Sequence, residues 1–152
     1  MTVYLDSSAL VKLYVPEVHS ASVVEFVHSL KDPLLFSHLH EIEVKNAIRL
    51  KSFRKELSLR AAAMAIRSIE KDLTAQILIR PNLNWIDVFR KAFELSGRYS
   101  SRFGSRPLDL LHVATGLLIP CSDLVTFDER QATVAKKSGL HLVRLRGPHA
   151  PI

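Results

Sequence analysis

Four acidic side chains, Asp6, Glu43, Asp109 and Asp128, stand where carboxylates could act together on a divalent cation. Asp6 closes the apolar run Val3-Tyr4-Leu5 and precedes Ser7-Ser8, while Asp128 closes Leu124-Val125-Thr126-Phe127. An aspartate directly after a strand either caps the next helix or serves a site at the strand's carboxyl end. Thr126 with Glu129 also has the spacing of a capping box. At about 100° per residue on a helix from Leu39 to Arg54, residues Leu39, Ile42, Asn46, Ala47, Leu50 and Phe53 gather on one arc. Glu43 falls inside that arc, where a carboxylate is costly unless an arginine or a metal pairs with it. Glu41 lies opposite, with Lys45 one turn on in the favourable order, and reads as a surface acid. Asp109 opens a helix that is apolar almost all round, a position that by itself suits an acid at the positive end of the helix dipole. His112 shares its face and reads as a packed, hydrogen-bonded histidine, since a set of oxygen donors selects hard cations.

Each acid alone is ambiguous, and the chemistry lies in their convergence. In a parallel sheet Asp6 and Asp128 meet at one edge of the carboxyl end, with Glu43 and Asp109 projecting from helices nearby. Four carboxylates a few ångströms apart repel one another, so such a site requires a divalent metal. Hard oxygen ligands select Mg²⁺ or Mn²⁺ over zinc. An arginine or lysine that permanently neutralised the same pocket would undo this reading. Asp123 falls at the amino end of its strand, away from such a site. Asp32, Asp72 and Asp87 fall in a turn or on helix exteriors, Asp87 with Lys91 one turn on, and read as surface acids.

The elements that must position these acids are short. Residues 2–5 read as a strand, with a helix to residue 14 stopped by Pro16. Further helices are expected over 18–30, 39–53, 58–77 and 85–99, with a strand at 34–36. Pro107 opens another helix at a position where its missing N–H does no harm. Residues 124–127 form a strand, 128–138 a helix closed by Gly139, and 141–145 a last strand. Short apolar strands alternating with helices mean a mostly parallel sheet covered on both faces. No linker or repeat divides the chain, which reads as one domain over 1–145 with a short tail over 146–152.

Hydrophobic residues make up 47% and charged residues 24% of 152, the balance of an ordinary globular protein. No apolar run is long enough to span a membrane. The opening Met1-Thr2-Val3-Tyr4-Leu5-Asp6 lacks a basic leader and does not suit a signal peptide. The one cysteine, Cys121, excludes an internal disulfide and a thiolate metal cluster, and a cytoplasmic location is expected. Twenty-one Lys and Arg against 15 Asp and Glu give a formal charge of +6, which either favours a polyanion such as nucleic acid or simply keeps the chain soluble. Arg102 and Arg106 beside Asp109 are candidate phosphate contacts. So are Lys45, Arg49, Lys51, Arg54 and Lys55 along and after the third helix, a run that reads equally as a solvated face.

Four segments in order resemble the PIN domain: Tyr4-Leu5-Asp6-Ser7-Ser8-Ala9-Leu10; Ser37 with Glu43-Val44-Lys45-Asn46-Ala47; Arg106-Pro107-Leu108-Asp109-Leu110-Leu111-His112-Val113-Ala114; and Leu124-Val125-Thr126-Phe127-Asp128. The similarity is to the VapC-like toxins of toxin–antitoxin pairs and runs from Val3 to about Leu145. It implies a three-layer α/β/α sandwich with a central, mostly parallel sheet. It also implies an acidic metal site of Asp6, Glu43, Asp109 and Asp128, with a supporting hydroxyl assigned to Ser8 in preference to Ser7. The implied activity is endoribonucleolytic cleavage of single-stranded RNA by metal-activated water, leaving 5′-phosphate and 3′-hydroxyl ends. The implied partners are RNA, a cognate antitoxin and a second copy of the chain, and no membrane.

Two other readings compete. A PIN-like module that binds RNA or a partner without turnover would keep the fold but leave Glu43 as an expensive ornament of its helix. An Asp-centred phosphohydrolase of the haloacid-dehalogenase type needs a second Asp two residues after the first, where this chain has Ser8. A receiver-type phosphoacceptor lacks its paired acids and its late lysine.

Overall fold

Uninterrupted apolar strands bury both faces and therefore form the interior of parallel sheets. In the computed structural model, which describes residues 2–121 and 123–145, β1 (Val3–Leu5) is such a strand, buried at every position. The tail expected over 146–152 lies outside the described residues. The described residues form two compact units, 2–6 with 81–121 and 123–144, and 7–80 with Leu145.

In the first unit β1 pairs in parallel with β4 (Asp123–Val125), and β4 with β5 (His141–Leu142), giving the order β1-β4-β5. The register sets Leu5 opposite Val125, and the Asp6 N–H continues the ladder to the Val125 carbonyl at 3.0 Å. The chain therefore leaves both strands at the same end of the sheet, carrying Asp6 and Thr126 with it. Parallel neighbours need a crossover, which α7 (Glu129–Lys137) supplies between β4 and β5. Helix α5 (Trp85–Phe103) opens at the Asn84 cap and closes at Gly104, whose φ of 62° suits a residue without Cβ. Helix α6 (Pro107–Leu118) begins with proline as expected and packs along α5. Gly116 matters here, because a Cβ on it would stand 3.1 Å from the Leu140 side chain.

In the second unit the short helix α1 (Ser7–Leu10) runs into a 3-10 turn, Val11–Leu13, and is followed by α2 (Ser20–Ser29). Strand β2 (Leu34–Leu35) pairs in parallel with β3 (Leu78–Ile79). Between them lie α3 (His38–Phe53), capped by the Ser37 hydroxyl, and α4 (Leu59–Thr74), capped by Ser58. Helix α4 ends at Thr74, short of the expected residue 77, and Gln76 turns the chain at a φ of 58° into the unforeseen β3. A strand of two residues is too short to display a period of two.

The face of α3 is a second correction. Its buried residues are Leu39, His40, Val44 and Ile48, whereas Ile42 and Phe53 are 63% and 84% exposed. The inward stripe thus lies roughly a third of a turn round from the expected arc. The hydrophobic pattern runs through Ile42, Leu50 and Phe53, which this helix leaves to solvent, while the β-branched pair Val44 and Ile48 is what it buries.

Candidate active site

Asp6 is 2% exposed, and its Oδ2 accepts from two side chains: Thr126 Oγ1 at 2.6 Å and Gln131 Nε2 at 3.0 Å. Thr126 leaves β4 beside Asp6, so its hydroxyl can bridge the two strand ends. Its Oγ1 also accepts the Asp128 N–H at 3.1 Å. Gln131 reaches Asp6 because α7 starts immediately after β4 and turns its first inward residue toward β1.

Asp128 answers both of its sequence readings at once. It is the N-cap of α7, with Oδ1 accepting from the N–H groups of Arg130 (2.9 Å) and Gln131 (3.0 Å). Its Oδ2 accepts instead from Arg106 Nη2 at 2.6 Å. The Thr126–Glu129 capping box does not form, because Asp128 does the capping and Glu129 pairs with Arg144. That guanidinium holds Glu129 below the usual carboxylate range. Asp128 and Glu129 are thereby told apart.

Asp109 is 7% exposed at the start of α6. Arg106 grips it through Nε to Oδ2 (2.8 Å), Nη2 to Oδ1 (3.1 Å) and its own backbone N–H to Oδ2 (3.3 Å). One polar network therefore joins the three candidate acids of this unit, from Asp6 through Gln131 to Asp128, and through Arg106 to Asp109. His112 is buried and bonded to the Tyr4 hydroxyl at 2.8 Å, the packed histidine expected. Asp123 lies at the amino end of β4, bonded to His141 at 2.8 Å and outside this network.

In the second unit Glu43 is half-buried, and its Oε2 accepts from the Ser7 hydroxyl at 2.9 Å. Ser7, the neighbour of the expected Ser8, thus holds an acid of the set. Glu41 forms its expected bond with Lys45 (2.6 Å) and another with Arg80, which together keep its carboxyl below the usual range. Lys45 is also paired with Glu70, so two carboxylates already match its charge. Arg49 and Arg102 are exposed. Asp72 is half-buried and accepts from the Tyr14 hydroxyl at 2.7 Å, so it is not a free surface acid. Asp87 pairs with Arg90 at 2.8 Å, not with Lys91, which takes Glu94.

Among the described residues no three Asp, Glu, His or Cys side chains converge closely enough to hold one ion. The donors nevertheless fit a divalent cation in kind. All are carboxylates, and two of them already share one cationic group, the Arg106 guanidinium. The sequence placed Arg106 beside Asp109 as a phosphate contact, not as the counter-ion of two site acids. Its side chain is 55% exposed, so it is a surface counter-ion that can leave, not a permanently buried one.

The PIN domain family model matches residues 3–137. The chain belongs to the PIN domain family. It is 29% identical over 143 residues to "Ribonuclease VapC46" of Mycobacterium tuberculosis, covering 93% of this chain and 95% of that protein. Two crystal structures share the fold at a TM-score of 0.66. One is VapC20 of M. tuberculosis, described as a toxin cleaving the sarcin-ricin loop, at 16% identity over 87% of this chain and 94% of that one. The other is FitAcB of Neisseria gonorrhoeae, at 15% identity over 94% and 97%. The resemblance to VapC-like PIN proteins is therefore correct, and the fold class is the α/β sandwich it implied. Asp6, Asp109 and Asp128 owe their grouping to two adjacent strand ends and two helix starts. Sequence reasoning missed Gln131, although a glutamine among the buried Ala132, Val134 and Ala135 of α7 marks a polar group that needs a partner.

Proposed function

We propose that the chain is a metal-dependent endoribonuclease acting on single-stranded RNA as the toxin of a toxin–antitoxin pair. The observation that carries this reading is the linked set Asp6, Asp109 and Asp128 beyond the carboxyl ends of parallel strands in a PIN-family chain. Glu43 is the fourth acid of the proposal, supported by its place in the family pattern and by the hydroxyl that orients it.

A bound Mg²⁺ or Mn²⁺ would supply Lewis acidity toward a phosphate and a water made acidic at neutral pH. The chain's own residues do the rest. Thr126 and Gln131 donate to one oxygen of Asp6 and so fix the rotamer in which its carboxylate is presented. The first N–H groups of α7 fix Oδ1 of Asp128 and leave Oδ2 turned outward. Ser7 does for Glu43 what Thr126 does for Asp6, and Ser8 is retained as a supporting hydroxyl. Exposed Arg49 and Arg102 are the phosphate contacts of this reading, whereas the charge of Lys45 is already matched within the chain.

The proposed partners are an antitoxin and a second copy of the chain. The first unit carries an apolar groove of about 530 Å³ lined by Phe89, Phe93, Pro107, Leu110 and Leu111, with Phe93 83% exposed, a surface of the kind a partner helix covers. No helix among the described residues is long and apolar enough to cross a membrane, in keeping with a proposed cytoplasmic site of action.

Wild type and Asp6→Asn are to be incubated with single-stranded and duplex RNA in Mn²⁺ and in EDTA. Cleavage of the single strand by wild type in Mn²⁺ alone is expected, and cleavage that survives both EDTA and the substitution would overturn the proposal. One observation favours a silent binding module, the guanidinium already held by Asp109 and Asp128. Metal binding without cleavage of any RNA would select that reading.

A further inference from the structure

Arg106 makes more polar contacts with the site acids than any other side chain described above. It occupies both oxygens of Asp109, at 2.8 and 3.1 Å, and Oδ2 of Asp128 at 2.6 Å. The remaining oxygen of Asp128, Oδ1, is committed to two backbone N–H groups of α7, so Oδ2 is the atom it can offer to a cation. The planar fork meets Asp109 in a bidentate pair and still reaches Asp128 through Nη2, a fixed geometry that the point charge of a lysine ammonium does not impose. Its backbone is fixed just before Pro107, three residues from Asp109, so the side chain stays near both acids even when it is not bonded to them.

We propose that Arg106 is a built-in competitor for the cation site: it is the counter-ion of Asp109 and Asp128 in the metal-free protein, and cation binding must expel it. This rests on the reading of those acids as metal ligands. The competition is possible because the pair is lopsided. Asp109 and Asp128 are 9% and 22% exposed in their side chains, while Arg106 is 55% exposed. The acids are therefore held in place, while the more exposed guanidinium can turn outward into water, where its hydration is recovered. Once expelled, it remains tethered at the rim as a positive charge suited to a phosphate of the bound strand. Loading with cation and binding of RNA then favour each other, since each removes a partner that the other would have to displace.

The test is calorimetric titration of Mn²⁺ into wild type, Arg106→Gln and Arg106→Lys, with thermal unfolding of all three in EDTA and in saturating Mn²⁺. Arg106→Gln is expected to bind Mn²⁺ about tenfold more tightly than wild type, the effect of losing one charge-assisted contact of a largely exposed group. Arg106→Lys, with a point charge in place of a fork, is expected between them. In EDTA the Gln variant should melt below wild type, and saturating Mn²⁺ should close that gap. If wild type binds Mn²⁺ and Arg106→Gln binds it equally or more weakly, the competition is refuted while the metal site stands. If neither binds Mn²⁺, the metal reading of the acids fails and the competition with it.

Discussion

Replacing Gln131 by methionine keeps the length of the side chain and removes the amide that holds Asp6. Both residues are 2% exposed, and the 3.0 Å bond joins a neutral donor to a carboxylate. A hydrogen bond to a charged group contributes about 1.5–3 kcal/mol, and a buried anion that loses a donor is not rehydrated in compensation. Methionine regains part of this by burying apolar surface, which leaves a net loss of about 2 kcal/mol, or roughly 4–8 °C in melting temperature for a chain of this size. The loss belongs to Asp6 and not to the helix, because the cap of α7 uses the backbone N–H of residue 131, which the substitution keeps. The measurement is urea unfolding followed by far-UV circular dichroism in EDTA, on Gln131→Met, Asp6→Asn and the double variant. In the Asp6→Asn background the cost of Gln131→Met should shrink by about 1 kcal/mol, since the bond no longer serves a charge. A loss below about 0.5 kcal/mol, or an undiminished loss in the Asn background, would refute the role given to Gln131.

The basic residues separate by pairing. Lys45→Ala should change the affinity for uncleaved RNA, measured in EDTA, by less than about twofold, because Glu41 and Glu70 already match its charge. Arg102→Ala should weaken binding and lower the slope of log affinity against log salt by about 0.7, one phosphate's worth on a single strand. Burial, with the charge of Asp123 behind it, pushes the Cys121 thiol up to about 11. The thiolate fraction at pH 8 then falls about a hundredfold below that of an ordinary thiol, and labelling by Ellman's reagent should slow in proportion until the protein is denatured. The folded thiol keeps its proton to higher pH than the unfolded one, so this burial favours the folded state below the ordinary thiol range. That contribution fades as pH rises toward about 11, and labelling near that pH should accelerate.

What could be read from the sequence depended on whether one short segment carried the signal. Asp6 and Asp128 were legible because each ends an apolar run, and a parallel strand announces its carboxyl end by the first charge after it. The packing of His112 was legible from its position in an apolar helix. Strand β3 was not, being two residues in the wake of a helix, and the face of α3 was misjudged because hydrophobicity alone does not say which apolar residues a helix leaves exposed. Ile42 and Phe53 look like core residues in any pattern, and only the packing of Val44 and Ile48 against the second unit's other elements overrules them.

The site divides along the same line. That Asp6, Asp109 and Asp128 would lie near one another was legible, but the state in which the chain holds them was not, because that state is set by partners distant in sequence. Thr126 and Asp6 are 120 residues apart, Gln131 and Asp6 125, and no periodicity connects them. Arg106 is the instructive case, since its place beside Asp109 was visible and suggested a phosphate contact. Its second bond, to Asp128 22 residues on, turns it from a neighbour into a bridge. A cluster of carboxylates must be neutralised by something at all times, and the folded chain supplies a cation of its own for two of them. The acids therefore need no metal to coexist in the fold, and their presence alone argues for a metal less strongly than a sequence reading suggests. Preference between the two cations then becomes a difference of free energies that a single side chain, Arg106, can set.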